Sequence, residues 1–408
     1  MAKQKAADGG EQKKQKRKRR GQGEGTIVKH KKSGKWMAQV SIGYGPDGNL
    51  KRLTKYFDDH GEAKNWLAKV IHERNIGQFV EPEKITFGEW LDRWLNTYKK
   101  TKIRKTTWDN YETMIRCHIK PAIGHIPLQK LQAADLQRLY NQKLKEEKSS
   151  SLVHRLSLII NGALKQALKE QLIYRNVNEA TELPPLKYKE IQPLTLEQAQ
   201  KFLEVAEQDR LYAAFLLELG TGLRRGELLA LRWQDVDLEN GRIFVNRTVA
   251  RVRNENGPTK TKLEYNPPKT EKSKASVPIP EDIVWELVKH QIRQQEEKDF
   301  FQGKYQDNGL VFCSEDGRQL DPRNFTKRYA RLLRKAGIPE VSFHNLRHTY
   351  ATILLEQGED LKVVQENLRH TRLNVTADIY ATVTEKLKKR AAARLNGLYK
   401  KKTPQQGA

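Results

Sequence analysis

Residues 221–228 read Thr221-Gly222-Leu223-Arg224-Arg225-Gly226-Glu227-Leu228. The glycine breaks one helix and the arginines open the next, with a carboxylate close behind. A guanidinium presents forked donors that match a phosphate, and a helix N-terminus adds a favourable field. Read alone, the segment is equally an ordinary helix start with exposed arginines. Leu231 and Trp233 extend the apolar spacing, so the new helix is expected to carry them. Downstream stands His344-Asn345-Leu346-Arg347-His348, whose His-x-x-Arg spacing predicts His344 and Arg347 on one helical face. An imidazole there supplies a proton carrier or donor, and the arginine a second fork. Then comes Leu368-Arg369-His370-Thr371, followed by Ile379-Tyr380-Ala381. A lone tyrosine near a chain end is ordinarily a packing residue. These histidines lack His-Glu-x-x-His or any comparable cluster, which argues against a metal centre.

Outward from this region the chain divides. Residues 1–25 hold almost no large apolar side chain and include Lys13-Lys14-Gln15-Lys16-Arg17-Lys18-Arg19-Arg20. They cannot bury enough surface to offset ordering entropy, so a disordered basic arm is expected. Across 26–78 the pattern is three strands and a helix: Trp36, Ala38, Val40 and Ile42 alternate, and Ala63, Trp66, Leu67, Val70 and Ile71 recur at helical spacing. The face left free carries Lys35, Met37, Gln39 and Ser41, a candidate DNA surface or simply a solvated one. After a linker at 77–84, an all-α segment is expected over 85–181. Phe87, Trp90, Leu91, Trp94, Leu95 and Tyr98 form a core stripe, and a second helix is capped near Thr106. Pro184, Pro185 and Pro193 mark a second linker. Thr195-x-x-Gln198 then resembles a capping box. From there to about residue 400 helices dominate, interrupted by a strand-rich insert between Arg242 and Pro280.

The composition bounds the partners. With 76 Lys plus Arg against 50 Asp plus Glu in 408 residues, the formal charge is +26, which points to a polyanion. The cations are spread along the chain instead of marking one amphipathic helix, which favours nucleic acid over a membrane surface. Cys117 and Cys313 are the only cysteines. Their isolation excludes a disulfide framework and a thiolate zinc site and suits a reducing cytoplasm. An apolar leader and a run of about 20 apolar residues are both absent from the sequence, so no membrane role is expected.

Taken together, Thr221-Gly222-Leu223-Arg224-x-x-Glu227, Pro268-Lys269-Thr270, His344-x-x-Arg347-His348-Thr349, and His370 with Tyr380 resemble the catalytic domain of tyrosine recombinases, over about 190–400. The all-α segment looks like that family's core-binding domain. Residues 26–78 resemble the arm-type DNA-binding domain of its phage and integrative-conjugative-element integrases. The resemblance implies a multidomain, mainly α protein: a small α+β arm-binding domain, an all-α core-binding domain, and a mainly α catalytic domain with a small antiparallel sheet.

It also implies a chemistry. Tyr380 would attack a scissile phosphodiester to give a 3′-phosphotyrosyl link. Arg224 and Arg347 would grip the non-bridging oxygens, and Lys269 would protonate the leaving 5′-oxygen, with Lys272 and Lys274 as alternatives. His344 would assist proton transfer, His370 would hydrogen-bond the phosphate, and Glu227 would orient the site. Metal, ATP and other cofactors would be dispensable. Lys13, Lys14, Arg17, Arg19, Lys35 and Gln39 are the expected DNA contacts outside the catalytic domain. The implied partners are double-stranded DNA with core-type and arm-type sites, three further copies in a homotetramer, and accessory excision or bending factors. The implied setting is the bacterial cytoplasm, at the nucleoid. A helix expected over 384–399 would pack either on its own domain or on a neighbouring protomer.

Two departures stand out. Arg369 occupies the position where the family has glycine before the histidine, and the hairpin return lacks the usual arginine. Integration or excision of a mobile element is the leading expectation. The alternatives are a resolvase of replicon dimers, a type IB topoisomerase and a catalytically silent DNA-binding regulator.

Overall fold

The structure is a computed structural model that describes residues 24–44, 47–186, 192–254, 257–268, 276–369 and 392–395. Lys13, Lys14, Arg17, Arg19, Lys269, Lys272, Lys274, His370, Tyr380 and residues 384–391 and 396–399 of the expected tail helix lie outside the described residues. The chain falls into two compact units. One holds the described residues up to Lys102 together with Tyr111–Leu186, and the other holds Ile103–Asn110 and the described residues from 192 onward.

In the first unit, strands β1 (Thr26–Lys29), β2 (Trp36–Tyr44) and β3 (Leu50–Phe57) form an antiparallel sheet in sequential order. Alternation along β2 decides its inner face. Ala38 and Val40 are buried against Ala63, Leu67 and Val70 of helix α1 (His60–Asn75). Asp59 caps that helix by accepting the Glu62 N–H at 3.0 Å. On the opposite face Gln39 donates to Thr54 Oγ1 at 3.0 Å, and Lys35 at the strand entrance pairs with Asp58 at 2.9 Å.

Helix α2 (Phe87–Trp94) opens with a capping box between Thr86 and Glu89 and continues as a π-helical turn over Leu95–Lys99. The expected stripe is core: Phe87, Trp90, Leu91, Trp94 and Leu95 are buried. Trp90 satisfies its indole N–H on the Ala163 carbonyl at 3.0 Å, as a buried indole must. The stripe packs with α4 (Lys120–Ile123) and with α6 (Ser150–Lys169), beside α5 (Ala133–Lys145). Helix α3 (Lys105–Met114) starts one residue before Thr106, near where a cap is expected. Thr107 and Trp108 both donate to the Arg104 carbonyl at its start.

The second unit is mainly helical. Helix α7 (Leu196–Ala206) starts at the Thr195–Gln198 capping box read from the sequence. Helices α8 (Tyr212–Thr221), α10 (Glu281–Phe301), α11 (Pro322–Lys335) and α12 (His344–Gln357) surround an aromatic core of Phe202, Phe215, Phe325, Tyr329 and Phe343. Removing one such ring would cost about 3–5 kcal/mol. The strand-rich insert forms two antiparallel pieces. One is β4 (Val236–Asp237), β5 (Arg242–Phe244) and β8 (Ser276–Pro278); the other is the hairpin of β6 (Thr248–Arg253) and β7 (Thr261–Asn266). Short helices α9 (Arg225–Leu228) and α13 (Leu361–Asn367) also belong to this unit.

The helix expected through Leu231 and Trp233 is corrected by the structure, since α9 ends at Leu228. Leu228, Leu229, Ala230 and Leu231 are all buried, and the backbone leaves the helix to pair with another segment. Val311 donates to the Leu231 carbonyl and Trp233 to that of Gly309, each at 2.9 Å. The apolar run is a core crossing, not a helical face.

Candidate active site

Helix α8 terminates on Gly222, whose φ of 59° is the left-handed conformation that favours glycine. Its N–H returns to the Glu218 carbonyl at 2.8 Å. A Cβ at this position would come within 2.7 Å of Tyr350 and 2.9 Å of Leu368, so α12 and the end of α13 press directly on the turn. Leu223 then plunges into the core and Arg224 emerges at the start of α9.

Glu227 fixes Arg224 twice. Its carboxylate accepts the Arg224 backbone N–H at 3.1 Å and the guanidinium Nη1 at 2.9 Å. Arg225 turns elsewhere and donates to Thr326 on α11 at 2.8 Å. Of the two adjacent arginines, only Arg224 joins the Glu227 cluster. Gly226 is required for a different reason, because a Cβ there would strike Thr248 at 2.4 Å and the Val249 carbonyl at 2.7 Å. That contact seats α9 on the β6–β7 hairpin. The hairpin return is described as far as Pro268, one residue before Lys269.

Arg347 sits on α12 with 1% of its surface exposed. Its guanidinium donates Nη1 to the Gly222 carbonyl and Nη2 to the Leu368 carbonyl. Burial, then the neighbouring Arg224 and Arg369 cations, pull its pKa down to about 9, so it remains charged at neutral pH. His344, one turn earlier, is exposed. His344 and Arg347 hold the i,i+3 spacing expected of His-x-x-Arg on α12 but differ in depth, and the helix also buries Leu346, Thr349, Tyr350 and Ala351. Partial desolvation, followed by Arg347 and Arg224, holds His344 below the ordinary imidazole pKa. His348 packs edge-on against it, with ring centroids 4.9 Å apart. Burial first, then His344 and Arg347, lower His348 to about 4. Both rings are therefore neutral at pH 7.

Two residues in this cluster escaped the sequence reading as site members. Glu218 is 1% exposed, and burial outweighs the pull of Arg347 and Arg369 to raise its carboxyl well above the usual range. Arg369 follows α13 with φ of 54° and is 3% exposed. Its Nη2 donates to Glu227 Oε2 at 2.7 Å. For Arg369 the signal was visible, an arginine in a glycine position; for Glu218 nothing local distinguished it from a surface residue. Glu227 lies below the usual carboxylate range: burial opposes ionisation, but Arg369 and Arg224 overcome it.

The partly exposed Arg224 guanidinium, its held carboxylate and the imidazoles suit stabilisation of a phosphoryl transition state and movement of one proton, while the Arg347 fork is taken up by the Gly222 and Leu368 carbonyls. Among the described residues no group of three or more His, Cys, Asp or Glu is placed to hold a metal ion. Gln39 lies on strand β2 of the other unit, and Lys35 directly precedes that strand.

The sequence pattern of the phage integrase family matches residues 192–386. The N-terminal SAM-like domain of phage integrases matches 86–144, and an arm DNA-binding domain matches 26–74. A XerC-like tyrosine recombinase of Caldanaerobacter subterraneus subsp. tengcongensis is 33% identical, across 90% of this chain and 98% of its own length. The ICEBs1 integrase of Bacillus subtilis is 22% identical across 91% of this chain and 99% of its own. Among solved structures, the Tn1549 transposon integrase with transposon right-end DNA superposes with a TM-score of 0.63 at 20% identity, covering 76% of this chain and 99% of that one. A lambda integrase tetramer on a Holliday junction gives 0.53 at 18% identity, covering 86% and 94%.

Proposed function

The chain belongs to the phage integrase family of tyrosine recombinases, and from that premise we propose how its own residues carry out strand transfer. It is a site-specific DNA recombinase of the phage and integrative-element integrase type, integrating or excising a mobile element. It acts on double-stranded DNA as a homotetramer.

In the proposed reaction the Tyr380 hydroxyl attacks the scissile phosphorus. A P–O bond forms to the tyrosine while the bond to the 5′-oxygen breaks, giving a 3′-phosphotyrosyl linkage and a 5′-hydroxyl. The tyrosine proton passes to neutral His344, and Lys269 protonates the leaving oxygen. Arg224 and Arg347 offset charge on the non-bridging oxygens, with His370 as a further donor. Glu227 holds Arg224 in orientation without touching the reacting atoms. A 5′-hydroxyl from the partner duplex reverses the sequence and reseals the strand, so the phosphodiester bond energy is conserved.

One observation carries this reading. Arg347 hydrogen-bonds the carbonyl of Gly222, two positions before Arg224, so guanidinium groups far apart in sequence meet at one glycine turn. Residues 26–78 are assigned to arm-type sites, 85–181 to core-type sites and 190–400 to catalysis. The basic segment 1–25, including Lys13, Lys14, Arg17 and Arg19, adds phosphate contacts, and Lys35 and Gln39 face DNA from the free side of the sheet. Among the described residues no helix is long and apolar enough to cross a membrane. Action at the nucleoid of a bacterial cytoplasm fits this assignment.

The test begins by letting the protein select core duplexes from a random pool. Strand exchange between labelled and unlabelled selected duplexes is then measured at saturating protein. Arg224→Ala should bind the duplex but exchange strands about 10²–10³-fold more slowly. Exchange at the wild-type rate would overturn the role given to Arg224.

A further inference from the structure

We propose that Arg369 is a positioning residue of the strand-transfer site, locking the turn before His370 onto Glu227 and thereby onto the Arg224 turn. This deepens the reading above and rests on it. The tie is the buried Nη2 bond to Glu227 Oε2 at 2.7 Å, on a carboxylate that already holds the Arg224 backbone and guanidinium. Leu368, next to Arg369, offers its carbonyl to Arg347. Arginines 347 and 369 therefore pin the same turn from two sides, directly before the segment leading to His370 and Tyr380.

Charge neutralisation alone does not explain the arrangement. Glu227 already has Arg224 as its counterion, with the Nη1 to Oε1 contact at 2.9 Å. Burial pushes the Glu218 carboxyl well above the usual range, so three guanidinium groups gather around two carboxyls of which only Glu227 is held below it. Such an excess is costly in a desolvated cluster unless an anion completes it. Arg369 Nε and Nη1 are buried and lack hydrogen-bond partners among the described residues, although a buried donor is normally satisfied. Its φ of 54° is a conformation that a residue with a side chain disfavours. Glycine would satisfy the backbone better. The side chain is kept at a position where the backbone resists one, and it reaches the carboxylate that orients Arg224.

The lock organises the site for chemistry and contributes little to holding the duplex. On the full-length protein, the rate of covalent adduct formation on saturating nicked duplex is measured separately from the apparent Kd. Arg369→Gly and Arg369→Met are each expected to slow adduct formation about tenfold or more while changing Kd less than about threefold, and Arg369→Lys to recover most of the rate. Acting through Glu227, the loss should be absorbed by Glu227→Gln, so that adding Arg369→Met slows that variant by less than about threefold. The double variant removes both buried charges, which keeps the test valid if Arg369→Met alone is unfolded. A wild-type rate for Arg369→Gly, or additive losses in the double variant, would overturn the proposal. Failure of the wild type itself to form any adduct would instead overturn the underlying reading.

Discussion

The buried guanidinium of Arg347 donates to the carbonyl of Gly222, the left-handed residue that ends α8. An arginine on one helix is thus bonded to the backbone that delivers the other arginine from α9. The same guanidinium also holds the Leu368 carbonyl, so three stretches of sequence meet at one planar group. A lysine ammonium lacks that fork geometry.

Arg347→Lys should therefore lose more than charge placement. Single-turnover adduct formation is expected to fall about 10²-fold or more, with far-UV circular dichroism retained. A loss below about threefold would show that the fork is not needed.

Gly222→Ala tests the turn from the other side. The added Cβ meets Tyr350 and Leu368 below 3 Å at a φ that disfavours any side chain. Destabilisation of about 1–3 kcal/mol is expected in urea unfolding, together with slower adduct formation. An unchanged unfolding midpoint would contradict the close approach.

The sequence carried much of this in patterns with a local cause. The stripe from Phe87 to Leu95, the alternation of Ala38 with Val40, and the Thr195–Gln198 box each reflect a helical or strand period or a cap, and each holds in the structure. What stayed hidden depends on partners distant in the chain. The apolar run Leu228–Leu231 has helical character locally, yet its backbone is claimed by Gly309 and Val311. Arg347 and His344 have helical spacing, but their depths are set by what packs around α12. The depth of Glu218 and the Arg369–Glu227 bond likewise arise only once segments far apart in sequence are brought together.

His290 gives a stability test with a defined sign. It is 2% exposed, hydrogen-bonded between the Val311 carbonyl and Arg293, and burial foremost lowers its pKa to about 4. The unfolded chain, with an ordinary imidazole near 6.5, takes up the proton first. Its contribution is therefore fully present above about pH 6.5 and is lost as pH falls toward about 4, on the order of 3 kcal/mol at most. The wild-type urea midpoint should drop more across that window than the midpoint of His290→Gln. Parallel curves would contradict the assignment.

DNA affinity should fall steeply with salt. With a formal charge of +26 and six or more phosphates neutralised, the loss between about 50 and 200 mM salt is expected to reach about 10³-fold. Deleting residues 1–25 should flatten this slope and leave the adduct rate at saturation unchanged. A flat dependence in the full-length protein would contradict a phosphate-gripping surface.

The most direct measurement uses a selected core duplex nicked beside the scissile phosphate, so that the short 5′-hydroxyl fragment diffuses away and the covalent intermediate accumulates. Wild type and Tyr380→Phe are incubated with it in EDTA and resolved on a denaturing gel. The expected result is a protein-linked DNA band with wild type and none with Tyr380→Phe, although both bind the duplex. Equal bands from both proteins, or binding by wild type without any adduct, would contradict Tyr380 as the nucleophile.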